Sequence, residues 1–145
     1  MHIREATQGD LDGLMRIEEE SFQDERFSRN MLELFVNEEE FDTLVCEIEG
    51  SVVGYAAAYA EPEVRTRVLS LAVDTGHRGM GIGRRLMQEI EHRAKALRST
   101  AVTLEVRVKN LPAVNLYLEE GYRIRGKIVD YYGKGENAFF MEKEL

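Results

Sequence analysis

The chain has 145 residues, of which 43% are hydrophobic, and its 19 basic and 27 acidic side chains give a formal net charge of −8. This length and composition predict one globular domain, residues 1–145. The acidic balance argues against a nucleic-acid partner, and no run of about 20 apolar residues predicts a membrane helix.

Three further features narrow the class of protein. The N-terminal stretch MHIREATQGD has no apolar signal segment, so we expect a cytoplasmic protein. Cys46 is the only cysteine, which excludes an internal disulfide and a cysteine metal site, and we predict no metal. The acidic runs 18–20 and 38–40 are typical of solvated helix faces, and the alternative is an acidic rim that attracts amines or basic peptides.

The first third of the chain predicts one strand and two helices. Residues 2–6 favour a strand, and Thr7 with Asp10 has the spacing of a capping box before a helix. That helix has an imperfect apolar stripe made of Leu11, Leu14, Met15 and Phe22. Ser28 is a suitable N-cap for a second short helix, whose apolar residues are Met31, Leu32 and Phe35.

The middle of the chain is rich in predicted strands. Residues 41–48 and 51–59 lie on either side of a hairpin turn at Glu49-Gly50, and residues 64–73 follow as a third strand. The hydrophobic period then changes to that of a helix over residues 82–97, whose apolar face consists of Ile82, Leu86, Ile90, Ala94 and Leu97.

The last third predicts a strand, a helix and two more strands. Residues 102–108 alternate between apolar and polar side chains. Asn110 caps a helix that ends at Gly121, and residues 123–129 and 138–143 are the final strands. The complete order, β-α-α-β-β-β-α-β-α-β-β, is that of an α/β sandwich with helices packed on a mixed sheet.

Three glycines at alternate positions, Gly79, Gly81 and Gly83, lie between a predicted strand and a predicted helix. The first turn of a helix has unpaired N–H groups and a partial positive charge, which bind phosphate oxygens. Glycine lets the backbone approach a diphosphate closely, and Arg78 and Arg84 are placed to add charged hydrogen bonds.

Two common phosphate-binding motifs do not fit this segment. A Walker loop requires Gly-Lys followed by Ser or Thr, which is missing here. Arg84 stands where the Rossmann fingerprint requires glycine. A glycine-rich turn that binds no ligand is the remaining alternative.

The segment Arg78-Gly79-Met80-Gly81-Ile82-Gly83 resembles the R-x-x-G-x-G/A motif of the GNAT acetyltransferases, which use acetyl-CoA. The resemblance implies the GNAT fold, with the backbone amides of residues 79–84 holding the CoA pyrophosphate. It also implies that the preceding strand, residues 69–73, splays from its neighbour. The backbone of Leu71, Ala72 and Val73 would then pair with the pantetheine arm.

Four later segments are similar to one branch of that family, the RimI-like N-terminal acetyltransferases. They are residues 104–110 (LEVRVKN), residues 113–117 (AVNLY), Gly121-Tyr122, and residues 131–138 (YYGKGENA). The branch implies transfer of the acetyl group to the α-amino group of protein or peptide N-termini, with ribosomal proteins among the candidate substrates.

This chemistry needs two groups that handle protons, because the attacking amine must lose a proton and the departing thiolate must gain one. The resemblance assigns the first role to Glu105 as general base and the second to Tyr117 as general acid. Strand alternation places Glu105 on the face opposite the apolar residues Val102, Leu104, Val106 and Val108.

Simpler roles are open for the same residues. Glu105 would otherwise face solvent or pair with Arg107, and Tyr117 would be only a core aromatic. Asn110 is a sufficient helix cap by itself, and by resemblance it also contacts CoA.

In RimI-like enzymes the peptide N-terminus lies between the first helix–helix loop and the last hairpin, here residues 20–27 and 130–132. The resemblance implies that Tyr131 bonds the substrate backbone, Phe22 lines a side-chain pocket, and Glu20 meets the N-terminal residue or assists the base. Two other functions stay open. One is a GNAT enzyme that acetylates lysine side chains or small amines, and the other is a catalytically silent acyl-CoA-binding module.

Overall fold

The computed structural model describes residues 1–22 and 26–145. Its strands are β1 (His2–Glu5), β2 (Phe41–Ile48), β3 (Ser51–Glu61), β4 (Arg65–Val73), β5 (Ala101–Arg107), β6 (Arg123–Ile128) and β7 (Ala138–Glu144). Its α-helices are α1 (Leu11–Ser21), α2 (Arg29–Asn37), α3 (Ile82–Ala96) and α4 (Leu111–Glu119). Short 3₁₀ turns, Gln8–Asp10 and Thr75–His77, precede α1 and follow β4. The order of helices and strands confirms the prediction from the sequence.

The seven strands form one mixed sheet in the order β1-β2-β3-β4-β5-β7-β6. All neighbours are antiparallel except β4 and β5, which are parallel. Helices cover both faces, because α1 and α2 pack against one apolar cluster and α3 and α4 against another. None of the helices in the described residues is long and apolar enough to cross a membrane.

The sheet opens into a wedge between β4 and β5. Only three residue pairs join these strands, Thr66–Val102, Arg67–Thr103 and Val68–Leu104. Beyond them β4 stays paired with β3 as far as Val73, and β5 stays paired with β7 as far as Arg107. The two strands therefore diverge while each keeps its outer neighbour, and the inner edge of β4 from residue 69 onward faces the wedge.

Local signals in the sequence fix the ends of the helices. The Ser28 hydroxyl accepts a hydrogen bond from the Met31 N–H at 3.3 Å, and the Asn110 side chain accepts one from the Ala113 N–H at 3.3 Å. Gly121 follows α4 with a φ of +96°, a conformation that favours glycine. These caps confirm the predicted starts of α2 and α4.

The start of the first helix–helix connection differs from the prediction. Phe22 lies outside α1 in an extended conformation and does not continue the apolar stripe of the helix. Glu18, predicted to lie on a solvated face, is only 1% exposed. Its carboxylate is tolerated in the core because side chains from β3 and β4 donate hydrogen bonds to it. The second acidic run, residues 38–40, is exposed as predicted, but it lies after the end of α2 rather than on a helix face.

Candidate active site

Two cavities meet at the wedge between β4 and β5. We call the first, of about 630 Å³, the glycine-loop cavity, since residues 71–73 of β4 and residues 78–84 surround it except for Met80. We call the second, of about 1020 Å³, the aromatic cavity, after the aromatic side chains from α2, β2, β3 and the β6–β7 connection in its wall. Six residues line both cavities: Ser21, Phe22, Leu71, Asn110, Ala113 and Tyr117.

The glycine loop leads directly into α3. Gly79 and Gly81 have φ angles of +79° and +80°, and a Cβ at either position would meet no atom within 4 Å. Among the described residues no side chain caps Gly81, and its carbonyl accepts the first helical hydrogen bond from Arg85 at 3.1 Å. The N–H groups of the first helical turn are therefore available to an anion in the cavity.

A glycine in β3 lets α3 reach this position. A Cβ at Gly54 would lie 3.0 Å from the Ile82 Cγ2, closer than side chains normally pack. The missing side chain brings the start of α3 against the sheet beside Val73. A glycine inside a strand is a sequence signal of such close approach, although its function was not predicted.

The two arginines of the loop have protein partners. The Arg78 Nε donates to the Val73 carbonyl at 3.1 Å. The Arg84 guanidinium binds both Glu119, at 2.6 Å, and Glu120. Both arginines line the glycine-loop cavity. Their contacts with phosphate stay a prediction. A phosphate would have to compete with two carboxylates for Arg84. Met80 does not line this cavity, and its side chain is half exposed.

The glycine-loop cavity offers groups that suit two parts of CoA. At Leu71, Ala72 and Val73 the backbone groups of β4 that face away from β3 lie along the cavity, because β5 has diverged from this edge, and one of them, the Val73 carbonyl, is held by Arg78. The start of α3 offers N–H groups to a diphosphate at the other end of the cavity. Asn110 lines the cavity in addition to capping α4.

Tyr117 stands where the two cavities join. Its ring is 6% exposed and packs edge-on against Tyr122 with centroids 5.8 Å apart. Burial raises the pKa of the Tyr117 hydroxyl, and the neighbouring Tyr132 adds to the rise. Among the described residues the hydroxyl has no hydrogen-bond partner, so a protonated donor reaches the junction. Tyr117 is thus a core aromatic that also lines both cavities.

Glu105 lies in the wall of the aromatic cavity and is held by a residue of β4. Its side chain is 14% exposed, and its two carboxylate oxygens lie 3.0 Å from Arg67 Nη2 and 3.3 Å from Arg67 Nε. Arg67 Nη2 also donates to the Tyr131 hydroxyl at 3.2 Å. Arg107, the partner considered from the sequence, instead binds Glu136 at 2.7 Å.

The β6–β7 connection presents two tyrosines to the aromatic cavity. The rings of Tyr131 and Tyr132 pack edge-on at 4.8 Å, and the Arg107 guanidinium lies 4.6 Å above Tyr132. The connection is ordered by Asp130, whose carboxylate accepts the Gly135 N–H at 2.7 Å. Another part of the cavity wall is a series of ring contacts at 4.9 to 5.7 Å through Phe27, Phe35, Phe41 and Tyr59.

Comparison with known proteins identifies the family. Residues 11–122 match the Acetyltransferase (GNAT) family. This chain belongs to the GNAT acetyltransferases. As a GNAT enzyme it is an acyltransferase that uses acetyl-CoA, which the geometry of the glycine-loop cavity fits.

Individual relatives and structures are similar along almost the whole chain. An uncharacterized N-acetyltransferase of Methanocaldococcus jannaschii is 34% identical over 145 residues, covering 99% of this chain and 92% of the relative. An N-alpha-acetyltransferase of Sulfurisphaera tokodaii is 31% identical over 155 residues, with the same two coverages. The crystal structure of Ard1 from Thermoplasma volcanium superposes with a TM-score of 0.90 at 29% identity, covering 99% of this chain and 97% of that one.

A buried carboxylate anchors the helix–helix connection of this GNAT acetyltransferase. Glu18 of α1 accepts hydrogen bonds from the Tyr55 hydroxyl, from Ser70 at 2.9 Å and from the Phe27 N–H at 2.9 Å. Burial, together with the nearby Glu18, raises the pKa of Tyr55. Glu18 and Ser70 line the aromatic cavity, so this network ties its wall to β3 and β4.

The residues predicted to contact a peptide are only partly brought together. Phe22 lines both cavities and Tyr131 lines the aromatic cavity. Glu20 lines neither, because its carboxylate bonds Arg16 at 3.2 Å and accepts the Thr75 N–H at 3.5 Å. Gln23, Asp24 and Glu25 of the predicted peptide loop lie outside the described residues. The substrate roles of Glu20, Phe22 and Tyr131 stay predictions.

Proposed function

We propose that this GNAT acetyltransferase acetylates the α-amino groups of peptide and protein N-termini in the cytoplasm. The observation that carries the proposal is the junction at Tyr117, where the cavity that fits CoA opens into a larger cavity containing Glu105. The names of its archaeal relatives favour the same substrate class. Ribosomal proteins are among the N-termini to be tested.

Tyr117 at the junction and Glu105 in the aromatic cavity supply the two proton transfers. Acetyl-CoA provides the acetyl thioester. Glu105, directly or through a water, accepts a proton from the substrate nitrogen as the new amide bond forms. Tyr117 is protonated at neutral pH, as tyrosine ordinarily is, and donates a proton to the departing sulfur as the carbon–sulfur bond breaks. Return of the proton from Glu105 to Tyr117 restores both residues.

The aromatic cavity favours a peptide over a small amine. Its volume of about 1020 Å³ exceeds what one amine group needs. Tyr131 and Tyr132 of the β6–β7 connection and Phe22 and Phe27 of the helix–helix connection all line it. An extended chain lying among these aromatic side chains would present its first residue to Glu105. A silent acyl-CoA-binding module would need neither Glu105 in the aromatic cavity nor Tyr117 at the junction.

We expect a free α-amine to be acetylated faster than a lysine side chain. An α-amino group has a pKa near 8 and lysine about 10.4, so at pH 7.5 their neutral fractions differ by roughly two orders of magnitude. The measurement compares two peptides of related sequence, one with a free N-terminus and no lysine, the other N-blocked with one internal lysine. A third peptide, N-blocked and without lysine, gives the background. Equal or faster acetylation of the blocked lysine peptide, located by tandem mass spectrometry, would reject N-terminal acetylation as the function.

A further inference from the structure

Arg67 is a cation that lines the proposed peptide site. The two proton transfers do not explain why a cation is present there. It belongs to β4, at the second of the three residue pairs that join β4 to β5. Its guanidinium contacts both carboxylate oxygens of Glu105, at 3.0 and 3.3 Å. The Arg67 side chain is 43% exposed and that of Glu105 is 14% exposed, so the guanidinium is the more exposed member of the pair.

The other charged groups of the cavity have partners of their own. Arg107 and Lys109 both bind Glu136, at 2.7 and 3.2 Å, and Glu18 is surrounded by hydrogen-bond donors. Among the described residues, Arg67 is the cation that contacts Glu105. The titratable and charged groups that line the cavity are Glu18 of α1, Tyr59 of β3, Arg67 of β4, Glu105 and Arg107 of β5, Lys109, Tyr117 of α4, and Tyr131 and Tyr132.

A substrate amine must come within hydrogen-bond reach of Glu105 before the carboxylate can accept its proton. A protonated amine at that place would share one carboxylate with the guanidinium of Arg67. Neighbouring like charges disfavour the charged form of the group that can titrate. Because the guanidinium keeps its proton in proteins, the amine is the group that becomes neutral.

We propose that Arg67 selects the neutral, nucleophilic form of the substrate amine by excluding a second positive charge from the Glu105 carboxylate. This inference rests on the proposed function and adds a determinant of substrate class. Amines that lose a proton easily are favoured, as α-amines are over lysine side chains. One proton of the ammonium leaves to solvent on binding, and Glu105 accepts the second as the carbon–nitrogen bond forms.

The test compares the wild-type enzyme with Arg67→Gln, which removes the charge, and Arg67→Lys, which keeps it. Rates with a free N-terminal peptide and saturating acetyl-CoA are measured from about pH 6 to about pH 9.5. The pH dependence of kcat reports groups in the substrate complex, and that of kcat/KM reports the free enzyme and free substrate.

In Arg67→Gln we expect the acidic limb of kcat to move upward by about one pH unit, as expected for the loss of a neighbouring charge. The limb of kcat/KM should stay in place, and Arg67→Lys should follow the wild type. A second peptide with a lower measured α-amino pKa must move the kcat limb downward. That dependence identifies the titrating group as the substrate amine, because a shift in a protein group would also appear in kcat/KM.

Three results would overturn the inference. An unmoved acidic limb of kcat in Arg67→Gln, or a kcat that falls equally at every pH, would show that Arg67 only positions Glu105. Alternatively KM for the peptide rises with an unmoved profile, which would make Arg67 a binding group for a substrate oxygen. If Arg67→Gln does not fold, Arg67→Met replaces it in the same measurements. A rise in the thermal stability of each variant on adding acetyl-CoA shows that the variant is folded and binds acetyl-CoA. Absence of N-terminal acetylation by the wild type would instead reject the proposed function.

Discussion

Gly81→Asp is expected to weaken the binding of acetyl-CoA by about two orders of magnitude, because it places a negative charge where a diphosphate would lie. Gly81 immediately precedes α3, and a Cβ there would meet no protein atom within 4 Å. The new side chain would therefore extend into the glycine-loop cavity without displacing the protein. Its carboxylate would compete with the ligand for the N–H groups of the first helical turn.

Two control variants separate charge from backbone strain. Gly81→Asn has the same size and tolerates the left-handed conformation equally, so it should bind acetyl-CoA much more tightly than Gly81→Asp. Gly50→Asp carries the same strain in the β2–β3 turn, where φ is +81° and the space around a Cβ is also empty. Gly50 lines neither cavity, so that variant should lose stability but keep its affinity. A folded Gly81→Asp protein with wild-type affinity in calorimetry would disprove the phosphate-binding role of the loop.

The sequence predicted the order of elements because each element carries its own local signal. The change from the helical period of residues 82–97 to the alternation of residues 102–108 marks a change of structure wherever it occurs. Ser28, Asn110 and Gly121 mark helix ends through their side chains or lack of one, which depends only on near neighbours. Such signals do not require knowledge of the tertiary structure.

These local signals did not predict contacts between segments that are distant along the chain. Glu18 was predicted to be solvated because its partners Tyr55 and Ser70 lie 37 and 52 residues away along the chain. Arg67 and Glu105 are 38 residues apart and meet only because β4 and β5 are parallel neighbours there. The sequence around Arg67 does not indicate its partner. The alternation of residues along the strand therefore left two possibilities for Glu105, exposure to solvent or an ion pair with Arg107.

The resemblance to a family predicted the residues of the glycine loop more completely than those of the peptide site. Residues 78–84 form one continuous segment, and their arrangement follows from a turn and the start of one helix. The aromatic cavity is assembled from α1, α2, α4, four strands and the β6–β7 connection. Glu20, assigned by resemblance, lies beside Thr75 instead of in that cavity. A site built from many elements depends on packing that no single motif specifies.

Glu105→Gln and Tyr117→Phe are each expected to lower kcat by on the order of 10²-fold, since each removes one proton transfer. Both residues line the aromatic cavity, and neither side chain caps a helix. The ion-pair partner of Glu105 is Arg67, whose side chain is 43% exposed, so the pair is open to solvent. The affinity for acetyl-CoA should therefore stay within a few-fold of wild type, as measured by calorimetry.

The controls for these variants come from neighbouring residues of the same type. Tyr122→Phe removes a hydroxyl that bonds Glu91 at 2.8 Å in the core, and Glu142→Gln removes a carboxylate that pairs with Arg125 at 3.3 Å. Neither residue lines the two cavities, so both variants should keep kcat near wild type even where the first loses stability. Normal kcat in Glu105→Gln and Tyr117→Phe together would exclude both assigned roles.

The pH dependence distinguishes the base from the acid. At high pH the substrate amine is already neutral and hydroxide is available, so Glu105→Gln should regain part of its lost rate. Tyr117→Phe should not recover, because raising the pH makes a proton for the departing sulfur harder to obtain. Recovery of both variants at high pH, or of Tyr117→Phe alone, would show that the two residues do not divide the proton transfers in this way. Recovery of Glu105→Gln alone would place the carboxylate on the amine side of the reaction and the tyrosine on the side of the thiolate.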